Sequence, residues 1–92
     1  MTEETDLKSA VKQYLDLTGI FNYHVLQGLG AYKGLSDKIM HYNGKVVYLE
    51  IKKLKGRMSP HQMAFADQCA ADGVDYVVIR SLDDLIDYLE GK

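Results

Sequence analysis

The chain has 92 residues, of which 47% are hydrophobic and 26% are charged, and its formal net charge is −2. This length predicts one compact domain over residues 1–92, because two halves would each lack an adequate apolar core, and the composition excludes disordered and fibrous proteins. No apolar run approaches the roughly 18 residues of a membrane span, and the acidic N-terminal segment is unlike a signal peptide, so we expect a cytoplasmic protein without a membrane partner.

The first predicted element is an α-helix from about Glu3 to Leu17. One apolar stripe at helical spacing is formed by Leu7, Ala10, Val11, Tyr14 and Leu15. Gly19 is expected to end the helix, and Tyr23 to Leu26 can form a short strand. The glycine-rich residues 27–30, together with Gly34, predict a loop that can approach a ligand closely.

A β-hairpin is predicted around Asn43-Gly44, because a two-residue type I′ turn needs positive φ at both central residues. With this turn, cross-strand pairing continues outward until Asp37 lies opposite Glu50. Directly opposed residues have Cβ atoms about 5 Å apart, and like charges at that spacing repel, so a positive group should lie between them. Period-two alternation places Lys52 on the Glu50 face, diagonally beside the acid pair.

The C-terminal part of the chain predicts helix, strand and helix. Ser59 is the expected N-cap of the second helix, with Gln62 completing a capping box, and Gly73 is the expected stop. Asp75–Ile79 is predicted to be a buried strand, and Ser81 is the expected N-cap of the last helix. The order αβββαβα therefore predicts an α/β fold with a mixed four-stranded sheet flanked by helices, whose third and fourth strands are parallel.

Basic residues are concentrated between residues 33 and 57. This segment contains seven basic residues and only two acids, Asp37 and Glu50, whereas the remainder of the chain contains four basic residues and eleven acids. Such a segment can attract a phosphate backbone and also hold a cation. A solvated charged surface explains the lysines equally well, but it does not explain the position of the two acids. The predicted DNA contacts are Lys33, Ser36, Lys38, Lys53, Lys55 and Arg57.

Two opposed carboxylates suit a hard divalent cation that keeps several waters, with Mg²⁺ as the first candidate and Mn²⁺ as its substitute. Asp37, Glu50 and the backbone carbonyl of Ile51 would hold the cation, which lowers the pKa of a bound water for an in-line attack on a phosphodiester. Lys52 would orient or help deprotonate that water and stabilise the phosphate oxygens. A salt-bridge network at a sheet surface remains an alternative. No phosphate-binding GxxxxGK[ST] motif occurs, so no nucleotide cofactor is expected.

These residues form a pattern similar to that of a known nuclease family. Gly34-Leu35-Ser36-Asp37, then Glu50-Ile51-Lys52, then Ser59-Pro60-His61-Gln62 resemble the PD-(D/E)xK superfamily and, more closely, the VRR-NUC (virus-type replication-repair nuclease) family with its stand-alone phage members. The likeness extends from the first helix to the last strand. It implies a restriction-endonuclease-like core and a metal-dependent DNA endonuclease with Asp37 and Glu50 as metal ligands and Lys52 as the catalytic lysine. Ser36 departs from the proline found in many superfamily members.

Further roles are implied by this resemblance alone. Glu4 matches the family's N-terminal glutamate, which assists at the metal through water or at a second site, although an acid favouring the helix N-terminus is an alternative. Gln62 matches a glutamine that supports the phosphate or the lysine, and its capping-box role is compatible with this. Stand-alone members look like dimeric junction resolvases, which implies a homodimer acting on branched DNA such as a Holliday junction. The alternatives are a generic duplex or flap nuclease, a non-catalytic DNA-binding module and a small protein-interaction domain.

Overall fold

The computed structural model describes residues 3–26 and 32–91. The elements in these ranges are α1 (Glu3–Leu17), β1 (Asn22–His24), β2 (Lys38–Tyr42), β3 (Lys45–Ile51), α2 (Pro60–Asp72), β4 (Asp75–Ile79) and α3 (Leu82–Glu90). This confirms the predicted order αβββαβα. The predicted glycine-rich loop at residues 27–30 lies outside the described residues. None of the helices in the described ranges combines the length and the apolar character that a membrane crossing needs.

The four strands form one sheet in the order β1-β2-β3-β4. The pairs β1–β2 and β2–β3 are antiparallel and β3–β4 is parallel, so the predicted mixed sheet is confirmed. The prediction for β1 was wrong in its bounds, because pairing with β2 begins at Asn22 opposite Met40 and ends at His24 opposite Lys38. Beyond His24, one hydrogen bond continues toward the site, from the Val25 amide to the Asp37 carbonyl.

The β2–β3 hairpin has the predicted turn and register. Asn43 has φ 53° and Gly44 has φ 76°, so both turn residues occupy the left-handed region that a type I′ turn requires. Tyr42 pairs with Lys45 across the turn, and the ladder continues to the pair Lys38–Leu49. One further step along the same register brings Asp37 opposite Glu50.

One face of the sheet, which we call the core face, packs against α1 and α3. Its apolar core consists of side chains that are at most 1% exposed, and they are Met40, Val47, Leu49, Ile51 and Ile79 from the strands with Val11, Leu15 and Leu85 from the helices. Lys38, which pairs opposite Leu49 at the start of β2, is also buried on this face. Burying one such side chain contributes roughly 1.5–3 kcal/mol relative to leaving it in water. The core face therefore supplies most of the hydrophobic stabilisation.

The opposite face, which we call the α2 face, is covered by the second helix over β3 and β4. Ser59 and Gln62 form the predicted capping box, and Gly73 ends the helix with φ 72°. The Phe65 ring packs on the ring of Tyr48 with a centroid separation of 5.2 Å, and on the ring of Tyr76 from β4 at 5.7 Å. Because of this cover, polar side chains of β3 on the α2 face are withdrawn from solvent.

The segment that leads into Asp37 is docked against the start of α2. Gly34 has φ +88°, and a Cβ at this position would collide with the backbone carbonyl of His61. We predicted that the glycine-rich loop that includes Gly34 can approach a ligand closely. At Gly34 itself, the close neighbour is the first turn of α2. The contact fixes the segment that carries Asp37 relative to the helix that carries Gln62.

Candidate active site

Asp37 and Glu50 are held together by two hydrogen bonds between their strands. The Asp37 amide donates to Glu50 Oε1 at 3.1 Å, and the Ile51 amide donates to Asp37 Oδ2 at 2.9 Å. Each carboxylate thus accepts an N–H from the opposing strand just beyond the last regular ladder pair. The register predicted this pairing, and these bonds fix both acids on the backbone.

The two carboxylates differ in their exposure to solvent. The Glu50 side chain is 3% exposed, whereas that of Asp37 is 17% exposed. Burial, followed by the negative charge of Asp37, raises the pKa of Glu50 to about 7, while Lys52 opposes this shift. Glu50 is buried because α2 covers that side of β3. The buried charge is incompletely compensated by the chain itself.

Two ammonium groups flank the pair, one beside each acid. Lys52 Nζ lies 3.5 Å from Glu50 Oε2, and Lys8 Nζ lies 3.6 Å from Asp37 Oδ1. The position of Lys52 agrees with the diagonal placement predicted from strand alternation. We expected one positive group between the acids, but the structure instead provides one cation for each of them.

Lys8 also connects the site to Glu4. Its Nζ lies 3.5 Å from Glu4 Oε2, one helical turn earlier on α1. Within residues 3–26 and 32–91, no three His, Cys, Asp or Glu side chains are grouped so that they could hold a metal ion. Glu4 is therefore not placed as a direct third ligand beside Asp37. Lys8 was missed from the sequence, although its four-residue spacing from Glu4 placed both side chains on one helix face.

Gln62 forms the predicted capping box and also contacts Glu50, while its support of the phosphate or of Lys52 stays a prediction. Its Oε1 accepts a hydrogen bond from the Ser59 amide at 2.9 Å, which completes the capping box. Its Nε2 donates to Glu50 Oε2 at 2.7 Å. The start of α2 is thereby tied to the buried carboxylate, and the orientation of Glu50 is fixed from the side opposite the hairpin.

Tyr76 places a buried hydroxyl on the α2 face that the sequence did not indicate. Across the two described ranges, its hydroxyl is the one buried side-chain polar atom without a hydrogen-bond partner. Burial, followed by the charges of Glu50 and Asp37, raises the pKa of this phenol. Its strand was predicted only as a buried apolar run, so no local signal distinguished Tyr76.

The oxygen donors at this site fit a hard divalent cation. Asp37 and Glu50 supply carboxylates, and the Ile51 amide points toward Asp37. Because the N–H and C=O of one residue in a strand point to the same side, the Ile51 carbonyl is directed to that side as well. One or two carboxylates with water completing the shell are the usual ligands of Mg²⁺ in proteins. The buried, incompletely compensated charge of Glu50 favours a cation there.

The predicted DNA contacts separate into an exposed and a buried group. Exposed side chains are those of Lys33, Lys53, Lys55 and Arg57. Ser36 is fully buried, and its hydroxyl donates to the Lys38 carbonyl at 3.0 Å. Lys38 is 6% exposed, and its Nζ donates to Asn22 Oδ1 at 2.9 Å. The prediction that Ser36 and Lys38 contact DNA is therefore corrected, because both side chains are buried. Strand alternation turns Lys38 away from the side of the sheet that carries Asp37.

Comparisons with known proteins identify similar structures. No protein-family model matches the chain, and no curated protein matches it. A solved structure described as "VRR_NUC domain" has a TM-score of 0.82 and 20% sequence identity, and the match covers 98% of this chain and 97% of that one. A second, "VRR_NUC domain protein", has a TM-score of 0.77 and 19% identity, with 99% and 88% covered. The chain therefore has the fold of these VRR_NUC domain structures, as its sequence resemblance implied.

Proposed function

We propose that this chain is a metal-dependent DNA endonuclease of the VRR-NUC family that hydrolyses phosphodiester bonds at the Asp37–Glu50 centre. The observation that carries the proposal is the cross-strand pair itself. Each acid accepts a backbone N–H from the other strand, and Lys52 Nζ lies 3.5 Å from Glu50 Oε2. This arrangement occurs in a fold shared with VRR_NUC domain structures.

Asp37, Glu50 and the Ile51 carbonyl are the residues that would hold Mg²⁺, or Mn²⁺ in its place. A divalent cation supplies a Lewis acid for the phosphate and a bound water of lowered pKa. The backbone hydrogen bonds prevent either carboxylate from rotating away. Gln62 Nε2 supports Glu50 from the α2 side at 2.7 Å. Preorganised ligands of this kind avoid a reorganisation cost during the reaction.

Lys52 would act on the attacking water and on the phosphate. Its side chain is 17% exposed, so the ammonium is partly shielded from bulk water yet still reachable. At Nζ it can hold the water in line with the phosphorus and stabilise the negative charge that develops on the phosphate oxygens. Its backbone is anchored by the bond from the Lys52 amide to the Ile79 carbonyl at 3.0 Å.

For the substrate and assembly, we propose a homodimer that acts on branched DNA, with four-way junctions preferred. A single small domain has little surface with which to grip DNA, and two-fold pairing would present two active centres to a symmetric branch. Phe21 is 62% exposed and is available for an interface. Tyr14 and Tyr88 pack against the core cluster, and Phe65 packs on tyrosine rings of the sheet, so these three are used internally.

The test is a cleavage assay on duplex, single-stranded, flap and four-way junction DNA with Mg²⁺, Mn²⁺, Ca²⁺ or chelator. We expect cutting with Mg²⁺ or Mn²⁺ and none with Ca²⁺, whose longer and more numerous bonds place the water poorly. Lys52→Ala, Asp37→Asn and Glu50→Gln should each lower the rate by about 100-fold or more while the chain remains folded. Circular dichroism of each variant provides the folding control.

Each departure from this pattern has a defined meaning. Undiminished cutting in chelator would rule out the metal mechanism, and wild-type turnover by Lys52→Ala would remove its assigned role. Binding of DNA without any cleavage would identify a non-catalytic binding module. If sedimentation shows only the 10.4 kDa monomer and duplex is cut as readily as a junction, the chain is a generic nuclease.

A further inference from the structure

A groove of about 520 Å³ lies between α1 and the β1–β2 edge of the sheet. We call it the α1 groove. One wall is helical and the other is formed by β1, including Asn22 and His24. Asp37 and Ile51, two residues of the proposed metal centre, also line it. The groove therefore leads directly to the Asp37–Glu50 centre.

The helical wall of the α1 groove carries only hydrogen-bond donors and hydroxyls. It consists of Thr5, Lys8, Ser9 and Lys12, which recur at the spacing of one helix face. The three acids of the first turn, Glu3, Glu4 and Asp6, do not line the groove, although Glu4 pairs with Lys8 at 3.5 Å. An acidic helix thus presents a cationic and hydroxyl-bearing face to this space. That composition is suited to an anion.

The strand wall adds a third cation. Lys38 lines the groove but is buried, so it adds positive charge to the groove without being a phosphate contact itself; its Nζ donates to Asn22 Oδ1 at 2.9 Å, an acceptor that does not neutralise this charge. The same Asn22 side chain donates to Asp16 Oδ1 at 3.1 Å. Asp16 also pairs with Lys12 at 2.6 Å, but both side chains are exposed, and exposed ion pairs within a helix contribute little free energy. A phosphate can therefore compete for the Lys12 ammonium.

We infer that the α1 groove binds the backbone phosphates of one nucleic-acid strand next to the scissile bond, with Lys12 as its outer contact and Lys8 as its contact beside Asp37. The ammonium of Lys8 lies 3.6 Å from Asp37 Oδ1, so it adjoins both the groove and the centre. The inference rests on the proposed function for the identity of the strand. It assigns a DNA-binding surface to α1, which lies outside the basic segment of residues 33–57.

The test compares Lys12→Gln with the matched variant Lys45→Gln. Each change removes one positive charge and one ion pair with an aspartate, Lys12–Asp16 at 2.6 Å and Lys45–Asp75 at 2.8 Å, but Lys45 adjoins the hairpin turn, remote from the groove. Binding of a short fluorescent oligothymidylate is measured by anisotropy in chelator over a series of salt concentrations. Lys12→Gln should weaken binding several-fold and reduce the slope of log K against log salt by about 1, whereas Lys45→Gln should change neither.

A second variant separates charge from packing. Lys12→Arg keeps the cation and should retain both the affinity and the salt slope, because a phosphate contact depends on charge. If Lys12→Gln and Lys45→Gln weaken binding equally, only net charge matters and the groove assignment is overturned. The assignment is also overturned if neither variant changes binding.

Amide chemical shifts locate the bound strand and identify its source. Titration with oligothymidylate should shift Thr5, Ser9 and His24 amides, while inorganic phosphate alone should shift them only at much higher concentration. Equal affinity for inorganic phosphate would indicate a free-phosphate site and contradict a strand site. Because these measurements use chelator, a groove that binds DNA in a chain that never cuts would support this inference and reject the nuclease proposal. If the chain cuts DNA with magnesium but Lys12→Gln and Lys45→Gln weaken binding equally, the nuclease proposal is supported and the groove inference is rejected.

Discussion

The two faces of the sheet bury different kinds of side chain. On the core face, the fully buried side chains, among them Met40 and Leu49, are apolar, and the buried ammonium of Lys38 at the start of β2 donates to Asn22. On the α2 face, Glu50 is 2% exposed, and the buried Tyr76 hydroxyl lacks a hydrogen-bond partner. Burial of an apolar side chain stabilises the fold, whereas burial of a carboxylate or an unpaired hydroxyl is unfavourable.

The difference shows that the unfavourable burial of polar groups lies at the proposed active site. Glu50 retains three neighbours that favour its charged form, the Asp37 amide, the Gln62 amide group and the Lys52 ammonium, yet its pKa is still raised. A site intended only for stability would place an apolar residue here. The predictions below test this contrast, from the largest expected effect to the smallest.

Truncation on the core face should cost the most stability. Leu49→Ala removes a fully buried side chain and should lower the free energy of unfolding by about 2–5 kcal/mol. The control is Val46→Ala on the same strand, where the side chain is 43% exposed and the loss should be far smaller. Urea denaturation measures both, and equal losses would contradict the assignment of the core face.

The α2 face should make metal-free stability depend on pH. The folded chain raises the pKa of Glu50 from its ordinary 4.5 to about 7, so it keeps the proton that the unfolded chain releases. In chelator, the free energy of unfolding should therefore fall by up to about 3 kcal/mol as pH rises from 4.5 to 7, and then level off.

Asp37→Asn is the control for this pH dependence. It removes the second cause of the shift while burial, the first cause, remains, so the pH-dependent loss should shrink without disappearing. Denaturation curves over this pH range, recorded for both proteins, give the comparison. A wild-type stability that does not fall between pH 4.5 and 7 would show that Glu50 is fully ionised and well compensated.

The docked segment before Asp37 can be tested with two glycines that share a positive φ. Gly34→Ala combines strain at φ +88° with a collision against the His61 carbonyl, whereas Gly19→Ala has strain at φ +74° and no atom within 4 Å of the added Cβ. Both should destabilise, and Gly34→Ala should cost about 1–3 kcal/mol more because of the overpacking. Similar thermal unfolding of the two variants would mean that Gly34 is not docked on α2.

The smallest predicted effect is at Gln62. Gln62→Ala removes the donor to Glu50 and one arm of the capping box, and it should lower the free energy of unfolding by about 1–3 kcal/mol. Gln68→Ala lies on the same helix and removes an exposed bond to Asp72, so it should stay within about 0.5 kcal/mol of wild type. Equal effects in denaturant would show that Gln62 is only a surface residue.

Local patterns predicted much of this fold. The spacing of apolar residues gave α1 its observed bounds, and Ser59 and Gly73 marked the limits of α2. The two-residue turn at Asn43-Gly44 set the register, so the opposition of Asp37 and Glu50 followed from counting outward along two strands. These features depend on residues close in sequence or on one hairpin.

The features that were missed depend on packing between distant segments. The cover of Glu50 by α2, the bond from Gln62, and the approach of Lys8 to Asp37 each join residues from separate elements. No local pattern fixes where α2 lies over β3. Lys38 is different, because period-two alternation already placed it on the face opposite Asp37, and that signal was available.

Binding of Mn²⁺ tests the central claim most directly. The signal of free Mn²⁺ in an electron paramagnetic resonance titration reports binding without requiring DNA or cleavage. We predict that the wild-type chain binds Mn²⁺ and that Asp37→Asn, folded by circular dichroism, loses this binding, because Asp37 and Glu50 supply the charged ligands. Undiminished Mn²⁺ affinity in Asp37→Asn would contradict the assignment of this cross-strand pair as the metal centre.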